Sequence, residues 1–341
     1  MDLFKQTGFK WQMLLALIVA SFLVAVMLLS GCISQTAQTQ KVHRVGIISG
    51  AEPFASIADG FKTKMNELGY IEGKNIVYEI QKSNLDSEGE KRITKKFVDG
   101  KVDLIFAFPT EPAIVAKKAS QGTSIPVVFA LSGIEGTGLV ESVIHPGGNV
   151  TGVRFPGPEL NVKRLELLQE LKPHAKRVYL IYDRNYPYTQ TSLEQLRPAA
   201  VSMGITLVED PVNNLEELKA ALQKRASDIG IDAILIMPEI LTQSPEGFGA
   251  ILNFANENKV PIGGSMEHTA DLGAVFSYIP NNLEMGSQAA TLADKIFKGT
   301  PAGTIMVVTP ESYLRINYRV AKELGLNVSD GLLNTANKII R

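Results

Sequence analysis

The sequence predicts an α/β protein with two doubly wound parallel-sheet lobes joined by a hinge. Short apolar segments alternate with longer segments whose apolar residues recur at helical spacing, which is typical of parallel sheets covered by helices. This alternating order begins at Arg44 and begins again at Arg177. The 310 residues after Gly31 also reach the size at which one core divides into two.

The first repeat is predicted to contain four strands separated by three helices. Its first helix places Ile57, Phe61 and Met65 on one face and stops at Gly69. Strands that run parallel need such helical crossovers between them. The predicted strands are 44–49, 75–80, 102–106 and 126–130, and the predicted helices are 54–68, 87–99 and 111–119.

The second repeat has the same order, and further elements follow it. Asn214 and Glu217 form a capping-box-like pair at the start of one helix. The surplus elements at the end suggest that the chain crosses back between the lobes, which makes a hinge of the extended connections. The predicted strands are 178–182, 206–209, 232–237, 260–263, 274–277 and 305–308, and the predicted helices are 191–203, about 214–222, 245–258, 283–297 and 313–324.

The first 31 residues have the features of a secretory signal. Lys5 and Lys10 precede an apolar run from Met13 to Leu29, and small residues follow it. The sequence Leu-Ser-Gly before Cys32, the only cysteine, resembles the bacterial lipobox. This resemblance implies cleavage before Cys32, acylation of its thiol and a location in the cell envelope, lipid-anchored outside the cytoplasmic membrane or in the periplasm.

Two alternatives to the lipid anchor remain open. The apolar run is 17 residues long, which is the lower limit for an uncleaved transmembrane anchor. In the other alternative, Cys32 is an incidental small residue and is not acylated. Both alternatives keep the remainder of the chain on the same side of the membrane, and residues 32–42 are expected to form a flexible tether.

The charge balance argues against nucleic acid as a partner. Asp2, Lys5 and Lys10 are the only charged residues before Cys32, so removing the signal changes the net charge from −1 to −2. No basic excess is left to bind phosphates. With Cys32 acylated there is no thiol for a disulfide, and a hydrophobic content of 45% is sufficient to stabilise the fold by burial.

Two further motifs accompany the lipobox and the two α/β lobes: the turn Pro146–Val153 and the helix end from Gly286 to Ile296-Phe297-Lys298-Gly299. With these features the chain resembles the type 1 solute-binding proteins of ABC transporters, in the branch that binds tryptophan or tyrosine. The resemblance implies a small organic ligand enclosed between the lobes, an ABC permease as partner and no cofactor. The lobes are expected at 43–153 with about 278–303, and at 154–277 with about 304–341.

The ligand is expected at the carboxyl ends of the strands, where loops and helix N-termini of both lobes converge. Thr110 follows a strand and is predicted to cap a helix or to bind ligand, and Glu239 stands where the family often has an Asp that holds an ammonium group. The candidate ligand-binding residues are Ser49, Glu52, Phe54, Thr110, Ser132, Tyr182, Arg184, Asn185, Tyr186, Tyr188, Glu239, Gly264, Ser265 and Tyr278.

Two departures from the family pattern bear on the ligand. Ser132-Gly133 stands where the amino-acid-binding relatives have Asp-Pro, and 183–186 reads Asp-Arg-Asn-Tyr where they have Asn-Pro-Ser-Glu. An acidic group is lost and Arg184 is gained. Aromatic rings beside an arginine bind flat or anionic groups, so the sequence predicts a ligand with a flat ring or an anionic group.

Catalysis is not indicated by the sequence. The four histidines are scattered without metal-ligand spacing, and the first strand-to-helix turn lacks the glycine patterns that bind dinucleotides or ATP. There is no Gly-x-Ser-x-Gly nucleophile motif either. We therefore expect no enzyme activity and no metal. A tethered module that presents its ligand to a membrane receptor is the alternative function.

Overall fold

A computed structural model describes residues 41–50, 54–84 and 86–341 of the chain. The predicted signal, the lipidation site Cys32 and the candidate ligand-binding residue Glu52 lie outside these residues. The strands are β1 His43–Ser49, β2 Ile76–Lys82, β3 Leu104–Phe108, β4 Val127–Ser132, β5 Val150–Arg154, β6 Arg177–Asp183, β7 Thr206–Val212, β8 Ala233–Leu235, β9 Ile262–Gly264, β10 Phe276–Pro280, β11 Ser312–Asn317 and β12 Lys338–Ile340.

The helices alternate with these strands through most of the chain. Among the described residues no helix has both the length and the apolar composition needed to cross a bilayer. The helices are α1 Ala55–Glu67, α2 Ser87–Asp99, α3 Thr110–Ala119, α4 Gly157–Leu171, α5 Pro187–Ser202, α6 Leu215–Ala226, α7 Ile240–Gln243, α8 Pro245–Asn258, α9 Thr269–Leu272, α10 Asn282–Phe297, α11 Tyr318–Glu323 and α12 Asp330–Thr335.

The first lobe is a five-stranded parallel sheet in the order β2-β1-β3-β4-β5. Every residue of β3 and β4 is buried, as expected for central strands that are covered on both faces. On one face α1 and α10 pack around Phe61, whose ring stacks on Phe106 at 4.4 Å between centroids. On the other face α2 and α3 pack around Phe97 and Phe129.

The second lobe is a seven-stranded sheet in the order β12-β11-β10-β9-β8-β6-β7. Its strands are parallel except that β11 runs antiparallel to β10. Helices α4 and α5 cover one face, and α6 and α8 cover the other. Both lobes are therefore doubly wound α/β units, which confirms the predicted fold class.

Local signals account for most helix starts. The Asp86 carboxylate caps α2 by accepting from the backbone N–H of Gly89 at 2.8 Å. The predicted pair at α6 also forms, since Asn214 Oδ1 accepts from the N–H of Glu217 at 2.9 Å. The Glu217 carboxylate reaches back to the N–H of Asn213 at 3.0 Å, one residue earlier than a capping box requires.

Several predicted elements are wrong or missing. The helix predicted over 313–324 begins only at Tyr318, because 312–317 forms β11, in which Leu314 and Ile316 are buried and Tyr313 and Arg315 are not. The predicted strand 305–308 is reduced to a single bridge between Val153 and Val308. Helix α4 was not predicted, although its leucines pack against the second sheet.

The chain passes between the lobes three times. It crosses after β5, again between β10 and α10, and a third time between the Val153–Val308 bridge and β11. All three crossings are short extended segments, and the first and third lie side by side through that bridge. Because few residues lie in these segments, they are the places where a change in angle between the lobes is absorbed.

Helices α1 and α10 approach each other closely at two glycines. A Cβ on Gly60 would overlap the carbonyl oxygen of Leu283, and a Cβ on Gly286 would overlap the carbonyl oxygen of Ile57. Both obstacles are backbone atoms, which cannot rotate away as a side chain does. Glycine is therefore required at both positions for the two helices to pack at this distance.

We expect Gly60→Ala and Gly286→Ala each to lower the free energy of unfolding by about 1–3 kcal/mol, because the added methyl group forces two helix backbones apart. The matched control is Gly249→Ala in α8, where a Cβ meets nothing within 4 Å. The control should be neutral or stabilising by up to about 1 kcal/mol. Urea unfolding measures all three variants, and equal midpoints for Gly286→Ala and Gly249→Ala would contradict the close-packing argument.

Candidate ligand-binding site

A cavity lies where the carboxyl ends of the strands of the two sheets face each other. Its residues lie at or beyond the carboxyl ends of β1, β3, β4 and β5 in the first lobe and of β6, β8, β9 and β10 in the second. The space between the walls is about 580 Å³ including the part open to solvent. The lining residues are Phe54, Pro109, Thr110, Leu131, Gly133, Phe155, Tyr186, Tyr188, Pro238, Glu239, Ile240, Gln243, Met266 and Ile279.

Five of the predicted site residues lie in the cavity wall. They are Phe54, Thr110, Tyr186, Tyr188 and Glu239. Each follows the carboxyl end of a strand that lies beside the point where the strand order reverses, because β1 and β3 are neighbours in the first sheet and β6 and β8 are neighbours in the second. The reversal of strand order thus brings these residues together from distant parts of the sequence.

Four predicted residues are buried beside the cavity without lining it. The Ser132 hydroxyl donates to the Ala130 carbonyl at 3.0 Å, and the Ser265 hydroxyl accepts a hydrogen bond from the Gln243 amide. Ser49 ends β1, and Gly264 ends β9 with no room for a Cβ beside Thr269. These residues support the wall from behind.

Four other predicted residues lie away from the cavity. Arg184 is exposed, bonds to the carbonyl of Pro211 and lies 3.8 Å from the Glu217 carboxylate. The Asn185 amide donates to Asn213 at 3.0 Å. The other two are Tyr182 and Tyr278. The structure therefore does not bring the predicted arginine to the ligand space.

Neither Tyr182 nor Tyr278 lines the cavity. The Tyr182 hydroxyl donates to Glu209 at 2.8 Å, and Arg197 binds the same carboxylate at 2.8 and 2.9 Å. Burial raises the pKa of Tyr182 to about 12. Tyr278 lies in β10, where its neighbour Ile279 lines the cavity, so alternation along the strand places the Tyr278 side chain on the opposite face.

The Thr110 hydroxyl forms a hydrogen bond within the cavity wall and does not cap helix α3. Its Oγ1 accepts from the backbone N–H of Gly133 at 3.0 Å, which joins the end of β3 to the end of β4. Helix α3 begins at Thr110 without a side-chain cap. The predicted capping role is therefore wrong, because the hydroxyl is engaged by the neighbouring strand.

Glu239 is a carboxylate in the cavity wall that is 3% exposed. Its oxygens accept from the backbone N–H groups of Leu241 at 2.6 Å and Thr242 at 3.0 Å. Burial raises the pKa of this carboxyl, while those bonds and the one to the Thr242 hydroxyl act in the opposite direction. The site thus contains a buried acidic group whose charge no basic residue of the cavity lining compensates.

Tyr186 lies between Glu239 and a second acidic residue, Glu111. Burial raises the pKa of the Tyr186 phenol, and the charges of Glu111 and Glu239 raise it further. The Tyr186 hydroxyl therefore stays protonated beside the Glu111 carboxyl. Burial raises the pKa of Glu111 as well, and its Oε2 is buried without a hydrogen-bond partner.

Glu90 lies behind Glu111 and extends this acidic region into the first lobe. Its side chain is buried, and the Ser83 hydroxyl donates to it at 3.4 Å. Burial, followed by the charge of Glu111, raises the pKa of Glu90 to about 7. The neutral form of Glu90 is consequently favoured in the folded protein below about pH 7.

The Tyr188 ring fills the space between two glycines. A Cβ would lie 2.7 Å from Cε2 of this ring at Gly133 and 2.5 Å from Cε1 at Gly157. The hydroxyl donates to Glu135 at 3.3 Å. Tyr188 belongs to α5 of the second lobe but packs in the core of the first, so its ring contacts both lobes beside the cavity.

Nine lining residues were not among the individually predicted site residues, and most are apolar. Leu131 is one example: the register of β4 shifts between Phe129 and Ser132, and Leu131 is held at φ 51°. Such a bulge redirects a side chain, here toward the cavity. The sequence gives no signal for this bulge, whereas Pro109 and Pro238 directly precede predicted site residues and could have been inferred from position.

The lining combines aromatic rings, aliphatic side chains and few polar groups. This composition fits a small organic ligand with a flat apolar part, fixed by hydrogen bonds at a few points. Within 41–50, 54–84 and 86–341 no group of three His, Cys, Asp or Glu side chains is placed to hold a metal ion.

Comparisons with known proteins agree with this architecture. The family model described as ABC transporter substrate binding protein matches residues 42–340. A curated tyrosine-binding protein of Clostridioides difficile is 28% identical in an alignment 331 positions long that covers 93% of this chain and 93% of that protein.

Solved structures share the fold. A Streptococcus pneumoniae ABC domain in complex with L-Trp has a TM-score of 0.79 at 23% identity and covers 88% of this chain and all of its own. The ligand-free, open structure of a Clostridium difficile substrate-binding protein with adhesive properties has a TM-score of 0.70 at 24% identity, over 87% of this chain and 99% of that one.

The raised pKa of Glu90 predicts a pH-dependent effect of Glu90→Gln. The protonated form stabilises the fold fully below the unfolded pKa of about 4.3, and this stability is lost as the pH rises through about 7. Glutamine mimics the protonated form, so the variant should raise the melting temperature by a few degrees at pH 8 and by much less at pH 5.

Thermal melts at the two pH values test this expectation. Glu246→Gln, an exposed residue in the first turn of α8, is the matched control and should leave the pH dependence unchanged. A Glu90→Gln gain of equal size at pH 5 and pH 8 would show that Glu90 does not titrate in this range.

Proposed function

The chain belongs to the family of ABC transporter substrate-binding proteins, and we propose that its cavity captures an aromatic amino acid for import through an ABC permease. The observation that carries this proposal is the buried carboxylate of Glu239 in a wall that also contains Phe54, Phe155 and two tyrosines. An α-amino acid with a flat side chain supplies an ammonium group for the carboxylate and a ring for the aromatic wall.

The charge of the cavity favours the ammonium group. A buried carboxylate without a cationic partner is costly, and a ligand that supplies the cation recovers part of that cost on binding. Glu111 and Asp183 add negative charge around Tyr186 and Glu239. We therefore retain the flat ring predicted from the sequence and replace the predicted anionic group with a positively charged one.

The similar proteins support this ligand class. The curated relative is named a tyrosine-binding protein, and one solved structure with the same fold is a complex with L-Trp. Two differences in the loops that follow β4 and β6 set this chain apart from the amino-acid-binding pattern. Because Arg184, which one of them introduces, lies outside the cavity lining, that difference does not oppose an amino acid.

We propose in addition that the protein is anchored by lipid at Cys32 on the outer side of the cytoplasmic membrane. Support comes from the lipobox-like Leu-Ser-Gly before Cys32 and from the apolar run that precedes it. Two acyl chains hold a protein stably at a membrane, where one chain binds only marginally.

Calorimetry with L-tyrosine and L-tryptophan tests the ligand. Glu239→Gln should weaken binding about ten- to a hundredfold, since a hydrogen bond to a charged group contributes about 1.5–3 kcal/mol. Arg184→Ala and the surface control Glu246→Gln should stay within about twofold of the parent. If 3-(4-hydroxyphenyl)propionate, which lacks the ammonium group, binds as tightly as L-tyrosine, Glu239 is not the anchor.

Cell fractionation tests the lipid anchor. Cys32→Ser removes the thiol that is acylated, so the variant should be released or mislocalised, while the parent remains in the membrane fraction. Retention of Cys32→Ser in membranes after an alkaline wash would instead indicate that the run from Met13 to Leu29 is a transmembrane anchor.

A further inference from the structure

Three tyrosines of the second lobe lie against three glutamates of the first lobe. Two of the pairs are hydrogen-bonded: Tyr188 donates to Glu135 at 3.3 Å, and Tyr313 in β11 donates to Glu284 in α10. In the third pair, the Tyr186 phenol lies close enough to the Glu111 carboxyl for each group to shift the pKa of the other. Each contact joins two side chains of the protein itself.

The three glutamates belong to the first lobe. Glu111 lies in α3 and Glu135 in the segment between β4 and β5. Glu284 lies in the first turn of α10, the helix that packs on α1. The three contacts are therefore spread from the cavity wall to a point outside the cavity lining.

The Glu135 contact is tied to the connections between the lobes. Arg154, at the end of β5, binds Glu135 at 2.5 Å, Glu159 of α4 at 2.6 Å and the Thr309 hydroxyl of the third crossing at 2.9 Å. One arginine thus holds the acceptor of Tyr188 together with both neighbouring crossings. A change in lobe angle at these crossings moves Glu135 relative to the Tyr188 ring.

We propose that these three tyrosine–glutamate contacts, two of them hydrogen bonds, hold the lobes together before ligand enters and thereby complete the aromatic wall of the cavity. Glu111 and Glu135 are positioning residues, because they act on the ligand through the rings of Tyr186 and Tyr188. The ligand-free protein then populates the closed arrangement substantially, and apparent affinity depends on the fraction that is closed.

The cleanest test uses Tyr313, because it lies outside the cavity lining and keeps its ring in Tyr313→Phe. Tyr318→Phe is the matched control, since the Tyr318 ring contacts Lys322 of its own lobe, 5.0 Å from the ring centroid. Small-angle scattering of the ligand-free proteins gives the radius of gyration. It should rise for Tyr313→Phe and for Tyr188→Phe and stay unchanged for Tyr318→Phe.

A second measurement separates closure from packing. Calorimetry with L-tyrosine should show a three- to tenfold weaker apparent affinity for Tyr313→Phe, roughly the loss expected when one such bond no longer favours the closed form. This arm rests on the proposed ligand class, whereas scattering does not. If L-tyrosine fails to bind the parent, the proposed ligand is wrong and the scattering comparison still decides the present inference.

The double variant Tyr313→Phe/Glu284→Gln adds a check on the pair itself. If the two residues act through one bond, the increases in radius of gyration are not additive, and the double variant resembles Tyr313→Phe. An unchanged radius of gyration in ligand-free Tyr313→Phe and Tyr188→Phe, with melting temperatures showing that both are folded, would overturn the proposal.

Discussion

The borders of the ligand space depend on hydrogen bonds from two arginines, one to strands of the second sheet and one to a crossing between the lobes. Arg164 is fully buried and donates to the carbonyls of Tyr278 at 2.8 Å and Ser265 at 3.2 Å. Burial lowers its pKa to about 9, so it stays charged at neutral pH and its N–H groups need acceptors. Arg154 binds a crossing directly, because its side chain donates to the Thr309 hydroxyl at 2.9 Å.

The carbonyls that Arg164 binds lie directly beside the cavity. Ser265 follows β9 and precedes Met266, and Tyr278 precedes Ile279, and both of those neighbours line the cavity. A charge buried without an acidic partner is stable only when several oriented dipoles surround it. The hydrogen bonds that attach α4 to the second sheet therefore also hold the lining residues Met266 and Ile279 in place.

The wall around Tyr186 is acidic. Glu239 lines the cavity and Glu111 lies beside Tyr186, and burial raises the pKa of both carboxyls. Burial also strengthens the interaction of a charged Glu239 with any positive charge that enters. An aromatic amino acid places its ammonium group and its ring in agreement with this distribution.

The sequence by itself determined the fold class and the neighbourhood of the site. Alternating strand and helix periods predicted both doubly wound lobes, and the rule that parallel strands end at one edge predicted that Phe54, Thr110, Tyr186, Tyr188 and Glu239 meet. These inferences succeeded because periodicity and chain direction are local properties. Helix α4 and strand β11 also have periodic sequences, although neither was predicted. Leucine recurs at helical spacing in 160–171, and apolar residues alternate with others in 313–317.

Only the tertiary structure decided which side chains face the ligand. Arg184 turns to Glu217 and Tyr182 to Glu209, because acidic partners on neighbouring elements compete for them. Leu131 enters the cavity through a bulge, and Tyr188 through the space left by Gly133, which is 55 positions away in the sequence. Side-chain direction depends on contacts between residues far apart in the chain, and such contacts leave no periodic trace in a single sequence.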